Sequence, residues 1–138
     1  MNNLYNICEN NINNLQSINK NNIQSIQKET YNYEKNIKNI KIEKIENIAL
    51  TNSIIHSIKF DSDIDKDEVL CHFPILPNDN SLPLNRINNM INLFNNNTKL
   101  PPIMVTKHKR GFYIINDGRH RFACSIMKGY KYIPIIIN

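Results

Sequence analysis

The chain has 138 residues, of which 41% are hydrophobic, and it carries a formal net charge of +5, which suits one domain with a short extension. No stretch approaches the about 18 consecutive apolar residues of a membrane span, and the N-terminus lacks the basic and apolar segments of a secretory signal. We therefore expect a soluble intracellular protein without a membrane partner. Its expected location is the cytoplasm, or a host's cytoplasm or nucleus if the source is a virus.

Asparagine, isoleucine and lysine dominate the composition, and asparagine alone makes up roughly a fifth of the chain. All three have A/T-rich codons, so an A/T-rich genome explains the bias as readily as the protein's function does. The positive charge permits contact with phosphates or nucleic acid, but lysine-rich codon usage explains it equally well. The three cysteines, Cys8, Cys71 and Cys124, are far apart and form no C-x-x-C pair. We therefore predict no zinc site built from cysteines. Because we also find no metal-binding set of carboxylates, we predict no metal held by the protein.

Residues 1–48 differ from the rest of the chain because they contain neither proline nor glycine. Apolar residues recur at steps of three and four, first over residues 4–26 and then more loosely over residues 37–48, which is a helical spacing. Low-complexity disorder is the alternative for residues 1–30. We predict a helical or partly disordered extension, whose helices are candidates for a homodimer or protein-partner contact.

Residues 49–138 read as one α+β domain. A β-branched segment at 53–60 predicts a strand. The acidic run that follows opens like a calcium loop, but Lys66 stands where that loop needs glycine and His72 where it needs glutamate, so we predict a solvated loop. Next come a helix at 84–94, a hairpin with strands near 103–106 and 112–116, a short helix ending at Gly129, and a strand at 132–137. This last strand is apolar on both faces and should be buried in a small mixed sheet with packed helices.

The segment "IINDGRHRF" places basic residues directly after a strand and a glycine. Gly118 can adopt a positive φ, and the helix behind it exposes unpaired backbone N–H groups. Arg119 and Arg121 add charged donors, and His120 can exchange a proton near neutral pH. Together these groups predict an anion cradle that suits phosphate. The alternative is a solvated turn in which Asp117 caps the helix and the three basic residues are exposed.

A second basic segment, "KHKR", lies in the turn of the predicted hairpin. Lys107, Lys109 and Arg110 are candidates for contact with DNA or with the outer phosphates of a nucleotide. The alternative is that these charged residues only keep an exposed hairpin turn solvated. Both interpretations stay open.

The order of motifs from residue 100 to 137 resembles the ParB/sulfiredoxin superfamily. Its pattern is a Pro-Ile strand, a turn, a Tyr-x-Ile-x-Asp-Gly-x-His-Arg segment, a helix, a glycine and a closing Ile-Pro strand. The matching residues are Pro102, Ile103, Val105, Tyr113, Ile115, Asp117, Gly118, His120, Arg121, Ala123, Gly129, Ile133 and Pro134. The resemblance implies a ParB/sulfiredoxin-like fold that binds nucleotide phosphates, with Gly118, His120 and Arg121 in contact and Asp117 ordering the turn.

The subfamilies differ in what they imply. Sulfiredoxins carry a reactive cysteine before the His-Arg pair, where this chain has Arg119; Cys124 is expected to pack inside, so sulfiredoxin activity is not expected. Chromosome-partitioning ParB proteins bind CTP and carry a downstream DNA-binding domain that this sequence does not include. Relatives that phosphorylate serine need a carboxylate base, for which Asp61 and Asp63 are the nearest candidates. Relatives described as nucleases need a metal-binding carboxylate set, which we do not find.

Two functions from different classes follow from these observations. The first is a nucleotide-binding domain that takes a nucleoside triphosphate, ATP or CTP, with Mg²⁺ and acts as a phosphotransferase or NTPase. The second is a non-catalytic adaptor that keeps the fold and binds DNA or a protein. The sequence leaves open whether the protein is an enzyme, because it identifies no catalytic base.

Overall fold

The structure, a computed structural model, describes residues 29–76 and 83–138. In this part of the chain four strands form one mixed sheet and four helices accompany it, which confirms the predicted α+β class. The strands are β1 (Lys41–Lys44), β2 (Ile103–Lys107), β3 (Tyr113–Asp117) and β4 (Tyr132–Ile137). The helices are α1 (Asn52–Ser57), α2 (Lys66–Leu70), α3 (Ile87–Asn95) and α4 (Arg119–Met127), and a 3₁₀ turn spans Ile45–Asn47.

The sheet has the strand order β1-β4-β2-β3. Strands β2 and β3 form the predicted antiparallel hairpin, β4 runs parallel to β2, and β1 closes the other side antiparallel to β4. Because β4 lies between two strands, its apolar side chains are buried, and the burial predicted for it is confirmed over residues 132–135. The chain reaches β4 from β3 through α4, so α4 begins at the end of the hairpin.

The hydrophobic core joins the sheet to α1, α3 and α4. Phe122 is fully buried on α4, and its ring contacts that of Phe73 edge to face with the centroids 6.1 Å apart. Tyr31 is buried as well, against Phe94 of α3. The predicted helices at α3 and α4 are confirmed, and Gly129 ends α4 with a left-handed φ of +77°. This arrangement holds the N-terminus of α4 at the edge of the core.

The strand predicted over residues 53–60 is wrong, because residues 52–57 form the helix α1. Thr51 starts this helix, since its side chain accepts a hydrogen bond from the backbone N–H of Ile54 at 3.4 Å. Ile54 and Ile58 lie four residues apart and are both buried, which is the spacing of a helical face. An N-cap threonine followed by this spacing outweighs the β-branched composition.

The acidic run after α1 is an exposed loop only at its beginning. Asp61 and Asp63 are exposed, as predicted for a solvated loop. Asp65 then caps α2, accepting from the N–H groups of Asp67 and Glu68. The loop prediction is therefore wrong from Lys66 onward, since a capping aspartate begins a helix there.

The helix predicted over residues 37–48 is also wrong. Ile42 alternates with the charged residues Lys41 and Glu43, and this period of two forms strand β1 against β4. Tyr31 and Tyr33 are buried in the same core as residues after position 48. The sheet and core thus include residues on both sides of the predicted boundary between 1–48 and 49–138. The helices predicted before residue 29 lie outside the described residues.

The described helices are short, the longest having nine residues. None of the helices in residues 29–76 and 83–138 is long and apolar enough to cross a membrane.

Candidate functional site

The turn between β3 and α4 requires glycine at position 118. Gly118 has a φ of +110°, in the left-handed region that L side chains rarely adopt. A Cβ atom there would lie 2.5 Å from Cγ2 of Ile103 and 2.8 Å from Nη2 of Arg121. Glycine is therefore needed both for the backbone conformation and for the space, and it brings the Arg121 guanidinium close to the backbone of the turn.

Gly118, and not Asp117, is the N-cap of α4, so the capping role predicted for Asp117 as the alternative is wrong. Glycine has no side chain to cap the helix. The N–H of Phe122 is the first helical donor, to the Gly118 carbonyl at 3.0 Å. The N–H groups of residues 119–121 precede it and have no intrahelical acceptor. They give this end of α4 a partial positive charge.

An open cleft with a volume of about 360 Å³ lies at this turn. The residues that line it are Met90, Asn116, Asp117, Gly118, Arg119, His120 and Arg121. All five residues predicted for the anion site thus surround one cleft. Among these lining residues Asp117 is the only acidic one, so the cleft is positively charged.

The arginines of the turn are held in place and are not fully solvated. The Arg121 side chain is only 11% exposed, and its Nη2 lies 3.5 Å from Oδ2 of Asp117, whose side chain is 77% exposed. Nη1 of Arg119 donates to Oγ of Ser53 on α1 at 3.5 Å. The alternative of three exposed basic residues is therefore wrong, since residues 119–121 are all partly buried.

Two nitrogen atoms of the site are buried without a hydrogen-bond partner in the part of the chain that the structure describes. They are Nε2 of His120 and Nε of Arg121. A buried polar atom without a partner is costly, and both atoms belong to residues that line the cleft. An anionic ligand in the cleft would supply the acceptors that these residues need.

The electrostatics of the site center on His120. Burial, together with the positive charges of Arg119, Arg86 and Arg121, lowers the pKa of His120 from its ordinary value. Arg86 immediately precedes α3, so a second helix adds a charge to the site. The empty cleft therefore favors the neutral imidazole.

The sequence alone does not assign Arg86 and Met90 to the site, because Arg86 immediately precedes α3 and Met90 lies on it, away from the turn in sequence. They lie four residues apart, the spacing of one helical face, and Met90 lines the cleft. The start of α3 packs on α4, where the Cys124 thiol points to the carbonyl of Ile87 at 4.0 Å. The apolar pattern of α3 indicates that this helix packs against the core. It does not predict that the start of α3 lies beside His120.

Cys124 is fully buried, as predicted. Burial raises the pKa of its thiol to about 12, so the reactive thiolate is not available near neutral pH. Cys71 is exposed and its thiol donates to the carbonyl of Glu68. Neither cysteine lines the cleft.

The hairpin turn lies at the other end of β3. Lys107, Lys109 and Arg110 are exposed there. The His108 ring stacks on Phe112 with the centroids 4.4 Å apart, and its Nδ1 accepts from the Arg110 N–H at 3.1 Å. A strand rises about 3.3 Å per residue, so the length of β3 separates this basic turn from the cleft.

The described residues do not form a metal site: they contain no group of three or more histidine, cysteine, aspartate or glutamate side chains that could hold an ion. Asp61 and Asp63, the candidates for a catalytic base, are not among the residues that line the cleft. Asp117 is the one carboxylate that the described residues place at the cleft wall. The donor set therefore suits a phosphate group better than a metal ion.

No protein-family model, no curated protein and no solved structure matches this chain.

Proposed function

We propose that this domain binds the phosphate groups of a nucleotide at the N-terminus of α4. One observation carries the proposal: Nε of Arg121 and Nε2 of His120 are buried without partners, within the described residues, beside a cleft with a single acidic wall residue. A buried guanidinium N–H without an acceptor and an excess of positive charge are features that an anion neutralizes, and a protonated Nε2 of His120 would add a second donor. The resemblance to the ParB/sulfiredoxin superfamily supports the same ligand class.

The roles of the residues follow from their positions. The backbone N–H groups of the first turn of α4 would donate hydrogen bonds to one phosphate, with Gly118 allowing its close approach. Arg121 would add a guanidinium held against the turn, and Arg119 another from the side of α1. Met90 offers an apolar contact to the remainder of the ligand. The volume of about 360 Å³ falls within the roughly 300–1,000 Å³ of small-molecule sites, so more than one phosphate group has room.

Mg²⁺ would enter this site with the nucleotide and not on protein ligands. Among the described residues Asp117 is the only carboxylate that lines the cleft, and one carboxylate does not make a protein-held magnesium site. Phosphoryl transfer also needs a base or a group that orients the acceptor, and residues 29–76 and 83–138 contribute no second carboxylate to the cleft lining. The proposal is therefore phosphate binding, and transfer to an acceptor stays a prediction from the resemblance.

The test is isothermal titration calorimetry with ATP, CTP, ADP and inorganic tripolyphosphate, each with Mg²⁺. The variant is Arg121→Gln, and the matched control is Arg110→Gln, which removes the same charge from the hairpin turn. A charge-assisted hydrogen bond contributes about 1.5–3 kcal/mol, so we expect Arg121→Gln to weaken binding at least about tenfold. Arg110→Gln should change it less than about twofold.

Two results would count against the proposal. The first is that the folded wild-type protein binds none of the four ligands. The second is that Arg110→Gln weakens binding as much as Arg121→Gln, which would mean that diffuse charge and not the cleft attracts the ligand. Thermal unfolding of each variant shows whether it is folded under the conditions of the titration.

A DNA-binding adaptor is the second candidate, supported by the three exposed cations of the hairpin turn, Lys107, Lys109 and Arg110. Such binding would weaken steeply with salt, because each neutralized phosphate releases counterions. It would also be lost on replacing these three residues by glutamine and kept in Arg121→Gln. Substitutions in the hairpin turn and at Arg121 therefore distinguish DNA binding from nucleotide binding.

A further inference from the structure

The site contains a titratable group whose change of protonation the proposed function leaves unassigned. His120 lies in the first turn of α4, and its Nε2 is buried without a hydrogen-bond partner within residues 29–76 and 83–138. The groups that act on it are all positive: Arg119 and Arg121 from its own helix, and Arg86 from the start of α3. Asp117, the one carboxylate among the described residues that line the cleft, lies at the end of β3 beside Arg121.

This arrangement disfavors a fourth positive charge on the imidazole. Three guanidinium groups repel it, and burial removes the water that would solvate it. A bound phosphate reverses both effects, because its negative charge compensates the arginines and its oxygen can accept a hydrogen bond from a protonated Nε2. The ligand and the proton thus stabilize each other in the same cleft.

We propose that His120 couples phosphate binding to the uptake of a proton, so that the empty cleft holds a neutral imidazole and the occupied cleft an imidazolium. This inference rests on the proposed function and adds its regulation by pH. The coupling is reciprocal, as for any two ligands that bind one protein.

The sign of the pH dependence follows from the two states. The pKa of His120 is low in the empty site and higher in the occupied site. Affinity should therefore be constant above the higher pKa and rise as the pH falls between the two values. It should level off again below the lower value. Within that window the gain is up to about tenfold per pH unit. The ligand's own phosphate titrates near pH 6, so the comparison must use one ligand with two proteins.

The experiment is calorimetry of ATP binding near neutral pH in several buffers that differ in ionization enthalpy, with wild type and His120→Asn. The dependence of the heat on the buffer gives the number of protons taken up. We expect wild type to take up more protons than His120→Asn, by a fraction of up to about one. Equal proton uptake in the two proteins would overturn the inference.

A second measurement covers the case in which His120→Asn does not fold or does not bind. The ring protons of His120 are followed by NMR through a pH titration of wild type, with and without saturating tripolyphosphate. We expect a higher pKa in the bound state, and an unchanged or lower one would overturn the inference. If wild type binds no phosphate ligand, the proposed function fails as well. If it binds without a pKa change, only the coupling fails.

Discussion

The two ends of strand β3 carry nearly the same set of residues in different surroundings. The hairpin turn contains Lys107, His108, Lys109, Arg110 and Gly111, with a glycine φ of +99°. The turn into α4 contains Gly118, Arg119, His120 and Arg121, with a glycine φ of +110°. In the first, His108 is stacked on Phe112 and its Nδ1 is hydrogen-bonded. In the second, His120 has a buried nitrogen without a partner in the described chain.

The difference shows that basic composition alone does not define an anion site. Cations on the hairpin turn are exposed, and water screens such charges. At the start of α4, burial and a second helix concentrate the charge. The backbone adds unpaired N–H groups that a hairpin turn does not offer. Only the second arrangement leaves polar atoms that a ligand would satisfy.

The largest effect should come from Gly118→Ala, compared with Gly111→Ala as its control. Gly118→Ala combines a disfavored left-handed φ, which costs about 1–2 kcal/mol, with a Cβ placed 2.5 Å from Cγ2 of the buried Ile103. Overpacking of a core adds about 1–3 kcal/mol, so we expect a loss of about 3 kcal/mol in the free energy of unfolding. Gly111→Ala has the same kind of φ but nothing within 4 Å, so it should cost about 1 kcal/mol.

Urea denaturation of the two variants measures this difference directly. A loss in Gly118→Ala no greater than that in Gly111→Ala would mean that Ile103 moves aside easily. Glycine at position 118 would then be required for its backbone conformation alone. The close packing of the turn on β2 would not contribute to that requirement.

Much of this end of the molecule could be predicted from sequence, because its contacts are local. The hairpin, α4 and β4 follow one another along the chain, and the glycine and the basic residues of the site are adjacent. The rest depends on pairing between distant residues. Strand β1 pairs with β4, which lies some 90 residues later in the chain. The four residues of β1, "KIEK", are too few to show a pattern that predicts a strand. The helix α1 was missed because local capping by Thr51 outweighed β-branched composition.

Arg86 tests whether the second helix matters to the site. It lies before α3, far from residue 120 in sequence, yet its charge lowers the pKa of His120. Arg86→Gln should therefore raise the pKa of His120 toward its ordinary value. It should also weaken nucleotide binding about threefold to tenfold, since Arg86 is exposed and partly screened. Arg110→Gln is the matched control and should change neither quantity.

The two readouts are an NMR pH titration of the His120 ring and calorimetry with ATP. An unchanged pKa in Arg86→Gln would place Arg86 outside the site, and the charges that act on His120 would then come from α4 alone. The contrast with the hairpin turn would then rest on burial and backbone geometry alone.

The smallest effect should come from the contact that holds Arg119. Oγ of Ser53 accepts from Nη1 of Arg119 at 3.5 Å, and it lies 3.1 Å from Oγ1 of Thr51, the N-cap of α1. Ser53 is buried, so this side of the guanidinium faces α1 rather than water. Arg110 on the hairpin turn is exposed by comparison. If holding the Arg119 guanidinium in place improves binding, Ser53→Ala should weaken nucleotide affinity by about threefold. This loss is smaller than the about 1 kcal/mol that a hydrogen bond to a neutral acceptor contributes.

Ser57→Ala is the matched control, because Ser57 lies one turn further along α1 and its hydroxyl donates to the Ser53 carbonyl at 2.7 Å. It removes the same atom from the same helix and should leave affinity unchanged. In an Arg119→Gln background, Ser53→Ala should have no further effect on affinity if the two residues act as a unit. If the two substitutions instead weaken affinity additively, Ser53 acts through the stability of α1. Preorganization of Arg119 would then not be a feature that distinguishes the cleft from the hairpin turn.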